Sequence, residues 1–256
     1  MALIIEKKGP VTIITLNRRQ ARNAVNPATA VELRAAFTAF DEDDTQSVAI
    51  LTGVNGTFCA GFDLKVAAKE GPDIGHDPNS EGPMGPTRML LSKPVIAAVE
   101  GHAVAGGLEL ALWCDLRVAS ETAIFGVFCR RWGVPLIDGG TVRLPRLIGQ
   151  SRAMDMILTG RPVNIDEAYE FGLANRKVGA GQALFEALEL AREIAKFPQL
   201  CMRADRMSAH QQWNLNFPDA LINEAEGGLK PLAEETQAGA ARFAAGKGRS
   251  GDFNSI

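Results

Sequence analysis

Two apolar runs, each spilling into a small-residue turn, constrain this chain more than any other feature. Residues 48–52 lead to Phe58-Cys59-Ala60-Gly61-Phe62-Asp63-Leu64, and residues 95–99 lead to Gly101-His102-Ala103-Val104-Ala105-Gly106-Gly107-Leu108-Glu109. Short continuous apolar runs bounded by turn residues read as buried strands. Each turn bares backbone N–H groups, and the second opens into a helix carrying the Glu109 carboxylate. Gly106 and Glu109 are three apart, so an amide donor and a carboxylate share one helix face. Glycine lets a ligand approach the backbone closely, and the helix N-terminus adds partial positive charge. Phe62 N–H, from the first turn, is the natural second donor. Two such groups can hold an oxygen that turns negative, and a carboxylate beside it can move a proton. That suits an acyl group whose carbonyl becomes an enolate. A plainer account also stands: Gly106 for helix–strand packing and Glu109 for a favourable first turn. Residue types alone leave both open.

The rest of the chain alternates strand and helix signals. Residues 3–6 and 11–16 flank Lys7-Lys8-Gly9-Pro10 and predict a β-hairpin. Asn26-Pro27 offers a helix cap with proline in the first turn. Leu33, Ala36, Phe37 and Phe40 follow at helical spacing, and the acidic residues 41–44 read as a solvated loop. Further strands are expected at 116–119 and 173–178. Helices are expected at 108–114, from Gly149 to Gly160, from Asn164 or Asp166 to Phe171-Gly172, and over 184–197. Gly71-Pro72, Asp77-Pro78, Gly82-Pro83 and Gly85-Pro86 predict a long mobile loop over 69–87, which in an enzyme is often a lid. After Pro198 every signal is helical. Residues 1–197 are therefore expected to form a core and 198–256 a helical region.

A chain of 256 residues can bury a substantial core, and a net charge of −3 draws neither nucleic acid nor a membrane surface. Any anionic ligand needs a local basic cluster, and Arg18, Arg19 and Arg22 supply one, unless they form only a solvated turn. Cys59, Cys114, Cys129 and Cys201 make no C-x-x-C pair and no zinc spacing. No metal is expected, and unpaired cysteines suit a reducing, cytoplasmic compartment. No signal peptide is expected from residues 1–8, and no apolar run nears the ~20 residues of a membrane span. Gly106-Gly107 lacks the spacing of a dinucleotide turn, so neither a nicotinamide nor a flavin site is expected.

Arg18-Arg19-Gln20-Ala21-Arg22-Asn23-Ala24-Val25-Asn26, the first glycine turn, Ser92-Lys93-Pro94-Val95 and the second glycine turn occur in that order. So ordered, with Gly139-Gly140-Thr141, Arg143-Leu144-Pro145, Leu158-Thr159-Gly160 and Glu167-Ala168-Tyr169 behind them, the chain resembles the crotonase (enoyl-CoA hydratase/isomerase) family. The resemblance implies an α/β fold, a spiral of β-β-α units with a C-terminal helical region that builds homotrimers, often stacked as hexamers. It implies an acyl-CoA substrate, with CoA part of the substrate and no separate cofactor. The thioester carbonyl would sit between Phe62 N–H and Gly106 N–H, with Glu109 as acid/base. Ala60, Asp63, Leu64 and Lys65 fall on the matching CoA-binding turn, and Arg22 and Ala24 on the nucleotide and pantetheine channel. Arginine also suits the phosphates of CoA by its own chemistry. Phe243 and Lys247 are candidates for reaching a neighbouring subunit's adenine.

One departure bears on the reaction. A hydratase of the family uses two glutamates on one water, and the second falls at Cys129. No carboxylate lies in residues 125–133. A thiol accepts hydrogen bonds weakly; Cys129 is a small buried residue or, with Arg130 and Arg131 lowering its pKa, a nucleophile. Asp138 is the nearest compensation. Dienoyl-CoA isomerases and aryl-CoA dehalogenases of the family place a catalytic aspartate at or beside this position; it also reads as a cap near Gly139-Gly140. Three functions remain: hydratase/isomerase chemistry on an acyl-CoA; isomerase, lyase or hydrolase work on an unusual acyl-CoA; or CoA-ester binding without catalysis. His76, His102 and His210 read as structural, and Trp132 as lying near the acyl pocket or in the core.

Overall fold

The computed structural model describes residues 1–70, 77–79 and 81–248. His76, much of the Gly/Pro stretch and the last eight residues lie outside them. The expected hairpin is present: β1 (Leu3–Lys8) pairs antiparallel with β2 (Val11–Leu16). α1 (Pro27–Glu42) begins where Asn26 and Pro27 put it, with the Asn26 side chain accepting from Thr29 N–H. The helix takes in Asp41 and Glu42, so half of the acidic run is helical rather than loop. Asp41 accepts from Ser92, and Asp43 pairs with Lys7 at 2.6 Å.

β3 (Val48–Gly53), β4 (Val95–Val99), β6 (Leu116–Ser120) and β9 (Arg176–Val178) complete one sheet in the order β1-β2-β3-β4-β6-β9, parallel beyond the hairpin. Alternate side chains of a strand take opposite faces. Val48, Ile50, Ile96, Ala98 and Val118 pack with Ala187 and Leu190 of α7 (Ala183–Lys196). Ala49, Leu51, Val95, Ala97 and Val99 turn to the larger core, which holds Leu33 and Phe37 of α1 and Leu108 of α3 (Gly106–Trp113). Both faces are covered, which is why these runs are apolar without alternation.

A second sheet, β5-β7-β8, joins His102–Val104, Ile124–Gly126 and Val163–Asn164. Strands this short carry no readable period. α2 (Leu64–Glu70) and α4 (Gly140–Ile148) are also additions, α4 holding Pro145 within it. α5 (Gln150–Thr159) and α6 (Ile165–Glu170, capped by Asn164) match expectation. The strand expected at 173–178 begins only at Arg176, because Leu173 and Ala174 N–H both bond to Ala168 O and close α6.

The tail is helical, as α8 (Gln199–Gln211), α9 (Phe217–Glu234) and α10 (Thr236–Ala244). Arg206 of α8 fastens it to the core, pairing with Asp115 at 2.8 Å and donating to Leu91 O at 2.6 Å.

Candidate active site

The two glycine turns converge. Cys59 N–H donates to His102 O at 2.9 Å and Val104 N–H to Cys59 O at 3.1 Å. Past that bridge, Gly61 backs onto the start of α3: a Cβ there would stand 2.9 Å from Gly106 N, at a φ of +99° that favours glycine. A Cβ on Gly107 would meet Cys59 O at 2.1 Å. Gly61 O and Asp63 N–H bond to Val25, so the Phe62 N–H between them points the other way. Among the described residues, neither Phe62 N–H nor Gly106 N–H donates to a protein acceptor. Ala105 precedes Gly106 at φ 53°, ψ −126°, a conformation that costs a side-chain-bearing residue about 1–3 kcal/mol. Its own N–H is tied to Gly126 O at 2.9 Å.

A cavity of about 640 Å³ opens over these turns. Ala60, Phe62, Leu64, Gly106, Glu109, Cys129 and Asp138 all line it, so the structure brings seven of the sequence-predicted residues together. Arg22, Ala24, Asp63 and Lys65 do not line it. Arg22 and Lys65 are exposed beside it, Arg22 accepting from Ala60 N–H at 3.1 Å. Asp63 is buried: one oxygen pairs with Arg18 at 2.9 Å and the other accepts from Lys65 N–H at 3.2 Å. Arg18 also donates to Ala24 O, so this arginine clamps the turn, and Arg19 and Arg22 are the cluster's exposed members.

Glu109 sits in the wall, 2 % exposed, with Oε1 accepting from Asp138 N–H at 2.9 Å and Gly140 N–H at 2.8 Å. Burial, then the neighbouring Asp138 charge, pushes its pKa up to about 7, against the pull of those two amides. Asp138 is equally buried, and burial raises it too. It does not cap α4, which begins without a side-chain cap; its Oδ1 accepts from Met84 N–H at 3.1 Å and from the Thr87 hydroxyl. Cys129 faces the cavity from the turn Phe128–Trp132. Burial and the Glu109 charge push its thiol up, not down. Arg130 is turned to Ile157 O, and Arg131 stacks on Phe128. A nucleophilic thiolate at Cys129 is thereby disfavoured. Trp132 lines the cavity at 68 % exposure, so it is not a core residue.

Sequence reasoning missed Met84, Thr87, Asn23 and Arg143. Met84 is 1 % exposed and presses on α3, its sulfur 2.6 Å from where a Gly106 Cβ would be. A Gly/Pro stretch gives no sign that one of its members is core. Asn23, at φ 57°, donates to Val54 O at 3.0 Å and Thr57 O at 2.7 Å and so ties down the first turn. Its tolerance of a positive φ was the available signal.

A two-sheet α/β core with a helical tail, and a cavity at two glycine turns with buried carboxylates in its wall, defines the class: an α/β protein with an enzyme-like pocket. Comparison with known proteins gives the family. The enoyl-CoA hydratase/isomerase family model matches residues 6–247. An enoyl-CoA hydratase of Mycobacterium tuberculosis, EchA19, is 37% identical over 249 residues, covering 94% of this chain and 92% of its own. The crotonyl-CoA hydratase of Syntrophomonas wolfei is 33% identical over 251 residues, covering 94% of each. The crystal structure of enoyl-CoA hydratase EchA1 from Mycobacterium marinum superposes with a TM-score of 0.89 at 34% identity, over 95% of this chain and 96% of that one. The chain belongs to the enoyl-CoA hydratase/isomerase, or crotonase, family, and is an enzyme of that type.

Proposed function

We propose that the protein binds an acyl-CoA with its thioester carbonyl between Phe62 N–H and Gly106 N–H, and that Glu109 moves a proton at the adjacent carbons. The observation that carries this reading is one cavity lined by both residues and by a carboxylate whose pKa lies near 7. An acid/base is most effective with a pKa near the working pH. Amide donors fixed before reaction stabilise developing negative charge without reorganising. Ala60 and Leu64 contact the pantetheine arm, and Arg22 and Lys65 meet the phosphates; Asp63, Ala24 and Arg18 shape the turn beneath. The chemistry is acid–base and asks for no cofactor.

Asp138 is the second polar group for hydration, its N–H already bonded to Glu109 Oε1. Cys129, a neutral thiol at the second-glutamate position, favours a second reading: double-bond isomerisation, which one base suffices for in principle. Mass spectrometry of products from a panel of enoyl-CoAs in labelled water separates the two. Hydration incorporates the oxygen label; isomerisation moves deuterium between acyl carbons without it. Efficient crotonyl-CoA hydration surviving Asp138→Asn would contradict the role given to Asp138.

Assembly as a homotrimer or a hexamer is supported by Phe217, Leu221, Ile222, Leu229 and Leu232, large apolar side chains of α9 that are 51–76 % exposed. Light scattering reads the mass. A cytoplasmic location is supported by four cysteines that are all unpaired.

A further inference from the structure

The segment that carries Met84 into the cavity wall is held to the catalytic carboxylates by a compact set of bonds centred on Thr87. Thr87 is fully buried and does not line the acyl cavity. Its hydroxyl donates to Asp138 Oδ1, which also receives Met84 N–H at 3.1 Å. Its carbonyl accepts from Arg143 Nη2 at 2.6 Å, while Arg143 Nη1 reaches Asp138 O at 3.0 Å. Gly82 closes the group; a Cβ there would come within 2.8 Å of Asp138 Oδ1 and 3.1 Å of the Thr87 hydroxyl. Two donors therefore occupy one Asp138 oxygen. The other, Oδ2, accepts from no described residue, on a side chain that lines the cavity.

We propose that Thr87 is a positioning residue: by donating to Asp138 Oδ1, with Arg143 bracing both residues from α4, it turns Oδ2 toward the substrate. The role assigned to Asp138 above is its premise. A buried carboxylate that accepts a hydroxyl hydrogen bond ionises more readily than one that does not. The charged and titratable groups facing Asp138 are Glu109 from α3, Arg88 beside Thr87, and Arg143 from α4; Cys129, from the turn 128–132, lines the same cavity and faces Glu109. Two carboxyls this close titrate as a pair. Removing the Thr87 donor raises the pH at which the pair ionises, whichever member holds the proton.

The test uses Thr87→Val, which keeps the shape and deletes the donor, with Thr87→Ala as a second deletion and Thr87→Ser as the conservative rescue. Both deletions are expected to lower kcat by roughly tenfold and to leave KM within about twofold. They should also move the acid limb of the kcat–pH profile upward by about one unit. Thr87→Ser restores both. A profile that stays in place in the deletions, or a Thr87→Ser enzyme as impaired as Thr87→Val, overturns the proposal. A second readout needs no turnover: carbon-13 carboxyl titration of Asp138 in Glu109→Gln, with and without Thr87→Val. The hydroxyl deletion is expected to raise the Asp138 midpoint; an unmoved midpoint overturns the proposal even if the Thr87 variants lose activity. If Glu109→Gln retains full turnover, the catalytic reading fails, while the carboxyl titration still decides the role of Thr87.

Discussion

Two carboxylates at opposite ends of α3, Glu109 buried and Asp115 largely so, are treated in opposite ways. Glu109 lies in its first turn and Asp115 just beyond its last. Burial pushes both upward. At Asp115 that push is outweighed by His210 and Arg206, at 2.9 and 2.8 Å, and by the Val95 amide, so its pKa falls below the ordinary value. Among the described residues Glu109 has two amides and no cation in contact, and it rises to about 7. A paired buried carboxylate is a fastening; here it holds α8 against the core. An unpaired one beside a cavity is kept at a cost in stability, and that cost leaves its proton easy to move.

The largest effect that separates the two is on turnover. Glu109→Gln is expected to lower kcat by roughly 10²–10⁴-fold, as loss of a general acid/base does. It should also stabilise the fold. The folded pKa of Glu109 lies above its unfolded value of 4.5, so the wild type loses stability as pH rises from 4.5 to about 7. Glutamine has no such loss, and at pH 8 the variant should be more stable by about 3 kcal/mol in urea melts. An equal or lower midpoint at pH 8 would break the contrast with Asp115.

Asp115→Asn runs the other way, with turnover nearly kept in whatever protein folds. Taking the charge from the partner of the largely buried Arg206 is expected to cost about 2 kcal/mol, seen as a lower urea midpoint. The sign with pH is also reversed. A depressed pKa contributes stability that is present above the unfolded value of 3.8 and is lost as pH falls below it. The wild-type advantage over Asp115→Asn should therefore shrink below about pH 4.

Two smaller changes sharpen the picture around Glu109. Ala105→Gly relieves the positive φ before Gly106 and is expected to raise stability by up to about 1 kcal/mol, net of the extra freedom of an unfolded glycine. Cys129→Ala is expected to change kcat/KM by less than about threefold, because a neutral thiol neither holds water nor attacks. A large loss in Cys129→Ala would restore the cysteine to the mechanism.

Most of the sheet was legible because its central strands are buried on both faces and their apolar runs need no partner to be recognised. Asn26-Pro27 and Gly149/Gly160 marked helix ends for the same local reason: each supplies a cap or a backbone angle that the chain itself requires. The short second sheet escaped, since three residues of His102–Val104 become a strand only when Ile124–Gly126 lies alongside. The set of residues at the cavity was largely legible through Gly61, Gly106 and Glu109. Met84, Thr87 and Arg143 were not, because their importance rests on contacts across 54, 51 and 56 residues of chain.

By itself the sequence determined the central strands of the larger sheet, the caps, the two glycine turns and the family to which they belong, all of them carried by neighbours a few residues apart. Only the tertiary structure decided what the carboxylates are. Glu109 and Asp115 are the same chemistry at the two ends of one helix, and residue type does not distinguish them. Ionisation is set by the charges and dipoles within a few ångströms, and folding alone placed Arg206 and His210 beside one carboxylate and Asp138 beside the other.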